Sequence, residues 1–401
     1  MNALADLLRR PPAEQAGRGY ADTAREIAQQ PDTWLETARA AVNARPLLRA
    51  SLAAADVRPG GAGLVVLTGS GSSLYAAECA AMPLQQALQT TVRAVPSGQM
   101  LTHLDGCVPP ARSGLCLSLA RSGDSPESTA VVDRVLAARP AWQHVIITCN
   151  GGGRLATRYT DRAGTVRLVL ADRTCDRSLV MTSSFSNMLL ATHILASLDD
   201  PRSYLEQIAR IATAARYLLD HSSVLATTAR GAFRSAMFLG SGSRLGAARE
   251  AALKMVEMTA GGVAATADTF LGVRHGPMSA VHADTLVICF LASDPITRAY
   301  ELDLIRELNR KQLGTRLIIG DEVPADVVRD QDLVLDCRGL ARAGDDMSTA
   351  TDAMAGQLLA MFRCLATGLR PDAPSTDNVI NRVVEDFALY HRHDLQPDAE
   401  P

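Results

Sequence analysis

The chain has 401 residues, 40 Lys+Arg against 43 Asp+Glu, a formal net charge of −3 and 47% apolar residues, the balance of a globular protein with more than one core. The near-neutral charge and 4% aromatic content exclude a basic, base-stacking nucleic-acid surface. No apolar run reaches the ~18–20 residues of a membrane span, and the opening MNALADLLRRPP carries an early acid and no apolar core, unlike a secretory leader.

The first 63 residues have helical spacing, with Pro11, Pro12 and Pro31 as stops, and end in the loop RPGGAG. They are expected to form a helical extension. Residues 64–78 then read LVVLTGSGSSLYAAE: an apolar strand, a Gly/Ser turn and an Ala-rich helix. Residues 236–250, AMFLGSGSRLGAARE, repeat that order. The spacing is too long for small stacked repeats, so a duplicated α/β unit is implied. In the first half, 115–120, 144–149 and 166–170 are apolar runs with little alternation, as in parallel strands covered on both faces. Helical spacing marks 126–138 and 182–197. The second half is expected to run strand 236–239, helix 245–259, strand 285–291, helix 296–311, strands 316–319 and 332–336, and helix 350–366. This alternation predicts two tandem doubly wound parallel-sheet domains, at 64–220 and 221–370. Residues 371–401 open on the turn-rich PDAPSTDN and form a C-terminal tail.

Eight cysteines show no CxxC pair, and the histidines, His391 and His393 included, show no metal-ligand spacing. Buried reduced thiols of a cytoplasmic protein, and no metal site, are expected.

Four motifs could carry chemistry. The turn TGSGSSL at 68–74 offers backbone N–H groups and the Ser72 and Ser73 hydroxyls at a helix N-terminus, where anions bind. It is neither G-x-G-x-x-G nor a P-loop, and a turn needing small residues explains it equally well. LARSGDSPES at 119–128 ends a strand and starts a helix at Pro126, with Ser125 as N-cap. One cap needs one hydroxyl; Arg121, Ser122, Gly123 and Ser125 together suit a phosphate monoester. The corresponding turn of the second half, LASDPIT, carries Asp294 instead, so the anion site is assigned to the first half. In REAALKMVEMTAGG, Glu250, Lys254 and Glu257 fall on one helix face. An exposed salt-bridge ladder would look the same, but the Ala/Leu/Met/Val surroundings imply burial, which tunes a carboxylate towards general-base work. Lys254 is also one of only two lysines, with Lys311. Finally, Arg274-His275-Gly276-Pro277 reads as a rigid loop presenting an imidazole beside a guanidinium, or as a solvated loop histidine.

Taken together, these motifs resemble the sugar-isomerase (SIS) domain proteins, and most closely the galactosamine-6-phosphate deaminase/isomerase family, also called tagatose-6-phosphate ketose/aldose isomerase. AREIAQQPDTW (24–34), ARSGDSPES, TCNGGGRLA (148–156), CDRSLVMTSSFSNM (175–188) and VINRVVEDF (379–387) carry the likeness over roughly 20–390. The resemblance implies that Ser72, Ser73, Arg121, Ser122, Gly123 and Ser125 grip a sugar phosphate, with a glutamine standing at Arg121 in the related glucosamine-6-phosphate synthase. It implies that Glu257 moves the proton between C1 and C2, that His275 opens the sugar ring from a neighbouring subunit, and that Glu250 and Lys254 belong to the same site. The synthase's tail lysine falls at Asn381 or Arg382, and only Arg382 keeps the charge. The synthase's nucleophilic cysteine has no counterpart at Asn2, which favours release of ammonia rather than its capture. The implied reaction converts galactosamine 6-phosphate and water to tagatose 6-phosphate and ammonia, with no cofactor, in a cytoplasmic homodimer sharing its sites. A glucosamine-6-phosphate deaminase, a plain aldose/ketose isomerase, and a non-catalytic sugar-phosphate sensor are the alternatives.

Overall fold

The computed structural model describes residues 2–110, 113–337, 339, 343–375, 379–384 and 388–390. The expectations for 385–387 and for the end of the tail, His391 and His393 among them, concern residues outside the described ones. The first sheet contains β1 (Leu64–Gly69), β2 (Val92–Pro96), β3 (Gly114–Ala120), β4 (Gln143–Thr148) and β5 (Thr165–Val169). The second contains β6 (Ser235–Leu239), β7 (Ala264–Asp268), β8 (Thr285–Phe290), β9 (Thr315–Gly320) and β10 (Leu333–Asp336). All pairings are parallel, and the orders are β2-β1-β3-β4-β5 and β10-β9-β8-β6-β7. Counted from its own first strand, the second sheet repeats the 2-1-3-4-5 order of the first. The expected duplication is therefore one of topology as well as of turns. In such sheets ligands sit beyond the carboxyl ends of the strands, beside the strand where the order reverses, which here is the end of β1, at the Gly/Ser turn.

The expected elements are present, most with ends within two residues. The helix expected at 350–366 spans Asp345–Ala366, and the one expected at 182–197 is α-helical over Ser183–His193 and 3-10 over Ile194–Ser197. Strands β2 and β7 go beyond the sequence expectation. Both are edge strands of mixed exposure, VRAVP and AATAD, without the apolar run that marks a covered strand. The helix Pro201–Asp220 was also not anticipated, although Asp200 capping the Ser203 N–H and Pro201 at the first turn are legible start signals. Four helices, Ala3–Leu8, Pro12–Arg18, Ala21–Ala28 and Gln30–Ala54, form the extension. No described helix is long and apolar enough to cross a membrane.

One buried cluster runs from Leu4 to Cys364, through Trp34, Phe185, Met255 and Leu358, and includes residues of both sheets. At its centre three helices meet at backbone distance: Ser72–Leu88, Arg244–Met258 and Asp345–Ala366. A Cβ on Gly356 would lie 2.3 Å from the Cβ of Ala251, and one on Gly246 would lie 2.7 Å from Cys79 Sγ. These small residues bring the helix of Glu250, Lys254 and Glu257 against the helix that starts at Ser72. All eight cysteines are free thiols; seven are buried and Cys175 is half-buried.

Candidate active site

The first Gly/Ser turn follows β1. Gly71 has φ +55, and Ser72 and Ser73, both buried, begin the helix Ser72–Leu88. No side chain caps this helix; the N–H groups of Ser73 and Leu74 turn back to the carbonyls of Ser70 and Gly71, at 3.2 and 3.0 Å. The second turn follows β3. Ser125 caps Pro126–Ala138 by accepting the Ser128 N–H at 3.4 Å, with the two hydroxyls 2.6 Å apart. Gly123 has φ +68, and a Cβ there would lie 3.1 Å from that of Leu155. The TCNGGGRLA segment holds this turn in place: Asn150 Nδ2 donates to the Ser122 carbonyl at 3.0 Å, and the Arg154 N–H donates to Asp124 at 2.9 Å. A folded loop thus supports the serines from behind.

Arg121 is buried beside that turn. Its guanidinium donates to the carbonyls of Ser178 and Leu179, at 3.4 and 3.0 Å, and to the carbonyl of Arg382. Arg382 in turn donates through Nε to the Asp176 carbonyl at 2.8 Å and reaches Cys175 Sγ at 3.4 Å. The tail position is therefore docked on the segment that also holds Arg121.

Glu250, Lys254 and Glu257 are not an exposed ladder. Glu250 and Lys254 are fully buried, while the Glu257 side chain is 23% exposed. Lys254 Nζ lies 3.5 Å from Glu250 and donates to Glu257. Burial pushes the Glu250 carboxyl up to about 8; Lys254 and the Ser72 hydroxyl pull the other way, and Glu257 adds to the rise. Burial works against the Lys254 charge, but the two carboxylates outweigh it and hold the ammonium protonated, with Arg121 acting as a minor opposing charge. Ser72 lies near enough to Glu250, and Arg121 to Lys254, to act on their charges, and Gly246 packs against Cys79, so this helix of the second half lies against the first.

His275 stands apart. It ends a 3-10 turn, Gly272–His275, is exposed, and its ring is hydrogen-bonded to no described residue. Gly276 follows with φ +130, a conformation that demands glycine. Arg274 does not stand beside it as a free cation, as the sequence suggests. It is paired with Glu307 and Asp303 at 2.7 and 2.8 Å, facing the helix Pro295–Arg310.

The second half fills its corresponding turn. The N–H groups of Ser293 and Asp294 donate to the carboxylate of Asp345, at 2.8 and 3.2 Å, and Arg244 joins it at 3.1 Å. Asp294 is a helix cap for Thr297. The asymmetry expected from Asp294 is thus built by Asp345, which sequence spacing could not place there. A cavity of about 340 Å³ remains beside this turn, lined among others by Ser241, Ser243 and Asp346. Among the described residues no group of three or more His, Cys, Asp or Glu side chains gathers as a metal site.

No profile of a known protein family matches the chain. A curated Escherichia coli protein named D-galactosamine-6-phosphate deaminase AgaS is 33% identical over 383 residues, covering 92% of this chain and 95% of that one. The chain belongs to the galactosamine-6-phosphate deaminase family. Solved structures agree with that membership. An Escherichia coli structure described as tagatose-6-phosphate ketose/aldose isomerase superposes with a TM-score of 0.80 at 30% identity, covering 88% of this chain and 94% of that one. A Clostridium novyi structure superposes with a TM-score of 0.89 at 28% identity, covering 98% and 99%. The family's sugar-isomerase fold is the pair of parallel sheets described above.

Proposed function

We infer that this member of the family is an amino-sugar-phosphate deaminase/isomerase, which converts D-galactosamine 6-phosphate and water to D-tagatose 6-phosphate and ammonia. The names of its relatives describe the two ends of that reaction, the amino sugar in one case and the ketose in the other. The observation that carries the reading is the row Glu250, Lys254 and Glu257, the first two buried, on a helix packed against the one that starts at the buried Ser72 and Ser73. One end of that arrangement suits a phosphate and the other suits proton transfer.

In this reading Ser72, Ser73, Ser122, Gly123 and Ser125 cradle the phosphate, and Arg121 and Arg382 supply positive charge to it. Anchoring the phosphate fixes C1 and C2 by proximity. His275 moves a proton from O1 to the ring oxygen, opening the pyranose to the aldehyde. Glu257, reachable from solvent yet held by Lys254, takes the C2 proton while O1 gains one from solvent, which the hydrolysis at C2 later returns, giving the enolamine. The buried Lys254 ammonium stabilises the charge that develops on O1. Glu257 then returns its proton at C1, leaving a C2 iminium. Water adds at C2 and ammonia departs, so one water is consumed for each ammonia released. Glu250 keeps Lys254 in place. His275 is free and exposed in a single chain, as suits a residue that completes its neighbour's site in a homodimer. The proposal includes that shared site and a cytoplasmic location.

The test is ammonia release from galactosamine 6-phosphate by wild type and by Glu257→Gln. The variant should lose roughly 10²–10⁴-fold in kcat while still binding the sugar phosphate. Binding without any release by the wild type would instead make the protein a sugar-phosphate sensor. Parallel rates on glucosamine 6-phosphate and tagatose 6-phosphate assign the C4 epimer and separate deaminase from plain isomerase.

A further inference from the structure

Two sequence motifs, AREIAQQPDTW and CDRSLVMTSSFSNM, have no part in the chemistry above, yet they interlock side chain by side chain. Gln29 donates to the Arg173 carbonyl at 2.7 Å and the Ser183 hydroxyl at 3.1 Å; Trp34 donates to Ser186 at 2.8 Å; and Thr33 and Thr37 both meet Asn187. The centre of the lock is Glu26, on the helix Ala21–Ala28 of the extension. Its carboxylate is buried and accepts the N–H groups of Arg177 and Ser178 and the Ser178 hydroxyl. Next to it Asp176, also buried, accepts the N–H groups of Thr182, Ser183 and Ser184, at 2.7, 3.0 and 2.9 Å.

The outward side of this same loop holds the two arginines. The carbonyls of Asp176, Ser178 and Leu179 receive Arg382 and Arg121. These guanidiniums are close enough to repel: burial weighs most against the Arg121 charge, Asp176 supports it and Arg382 opposes it. A loop that keeps two like charges together must itself be stiff: the Asp176 carbonyl belongs to the peptide whose Arg177 N–H Glu26 accepts, and the Ser178 carbonyl to the peptide whose Leu179 N–H donates to the Asp372 carbonyl at 3.1 Å. Glu26 grips the peptides on either side of Arg177.

We propose that Glu26 is a positioning residue for the sugar-phosphate site: it clamps the loop 176–179 from the N-terminal extension so that the loop's carbonyls hold Arg121 and Arg382 at the anion turn. The proposal rests on the reading above that these arginines face the phosphate. The extension is thus part of the binding machinery, although it lies outside both sheets.

The experiment compares Glu26→Ala, Glu26→Gln and Ser178→Ala with wild type, with Arg121→Ala as the control for the reading itself. KM for galactosamine 6-phosphate, kcat, and the inhibition constant of inorganic phosphate are measured for each. Glu26→Ala should raise KM and the phosphate inhibition constant together by about tenfold. Its kcat should stay within about twofold, because Glu250, Lys254 and Glu257 are carried by another helix. Glu26→Gln keeps a carbonyl oxygen for the two N–H groups and should restore both constants towards wild type. Ser178→Ala removes one donor and should shift both constants in the same direction by less. If Glu26→Ala does not fold, Ser178→Ala decides: constants equal to wild type overturn the proposal. A fall in kcat at unchanged KM and inhibition constant also overturns it, since that is the mark of a smaller folded fraction. If Arg121→Ala leaves both constants unchanged, the reading of the anion site has failed instead.

Discussion

Lys254 is a fully buried ammonium, and an isolated one would cost several kcal/mol. It is tolerated because carboxylates lie one turn before it and one turn after. Glu250 carries the cost in its raised proton affinity. Buried carboxyls of this kind make stability depend on pH, and Glu301 tests that away from the site. Burial pushes Glu301 from 4.5 up to about 7, against the Ala292 N–H that donates to it. The native chain therefore holds this proton more tightly than the unfolded chain does. The associated stability is complete below the unfolded value and is lost as pH rises through the folded one. Glu301→Gln keeps the acceptor for Ala292 and should remove this group's part of the slope, on the order of 2 kcal/mol between pH 5 and 8. Denaturant midpoints of wild type and variant at both pH values check this, and a pH-independent difference would show Glu301 already ionised in the native chain.

At the scale of elements, the site depends on how closely three helices approach. Gly356 sits where any Cβ would strike Ala251, whose own Cβ belongs to the helix Arg244–Met258 and cannot rotate away. Gly356→Ala should cost about 3 kcal/mol by overpacking. Because that helix carries Glu250, Lys254 and Glu257, kcat should fall more than thermal stability alone accounts for. Measuring kcat well below the variant's Tm separates the two effects; an unchanged kcat there would mean the helix has moved without disturbing the site. The apolar runs and the Asp-Pro and Ser-Pro helix starts were readable along the chain, because covered strands and capped helices impose local patterns. Strands β2 and β7 were not readable, because a sheet edge asks for no such pattern and their pairing is supplied by β1 and β6.

For the whole molecule, duplication built two similar units and then treated them differently. In the first, Asn150 and Asp124 brace the serine-rich turn; in the second Asp345 accepts the N–H groups of the corresponding turn. The proposed shared site predicts complementation between chains. Mixing Glu257→Gln with His275→Ala one to one, each inactive alone, should recover about a quarter of wild-type activity, since about half of the randomly formed dimers are hybrid and one hybrid site in two has both residues. No recovery, with exchange of chains verified, would place both residues in one subunit's site.

Spacing and residue type by themselves determined the two α/β units, the Gly/Ser turns, the single face shared by Glu250, Lys254 and Glu257, and the serine-rich start at Ser125. These are local consequences of helix and strand periods and of capping chemistry. Only the folded chain decided that Lys254 is buried while Arg274 is taken by Glu307, that Asp345 closes the second turn, and that Arg121 and Arg382 share a loop clamped by Glu26. Each of these joins residues far apart in the chain, and what a charged side chain does is set by which partners the packing brings within a few ångströms, which no linear pattern records.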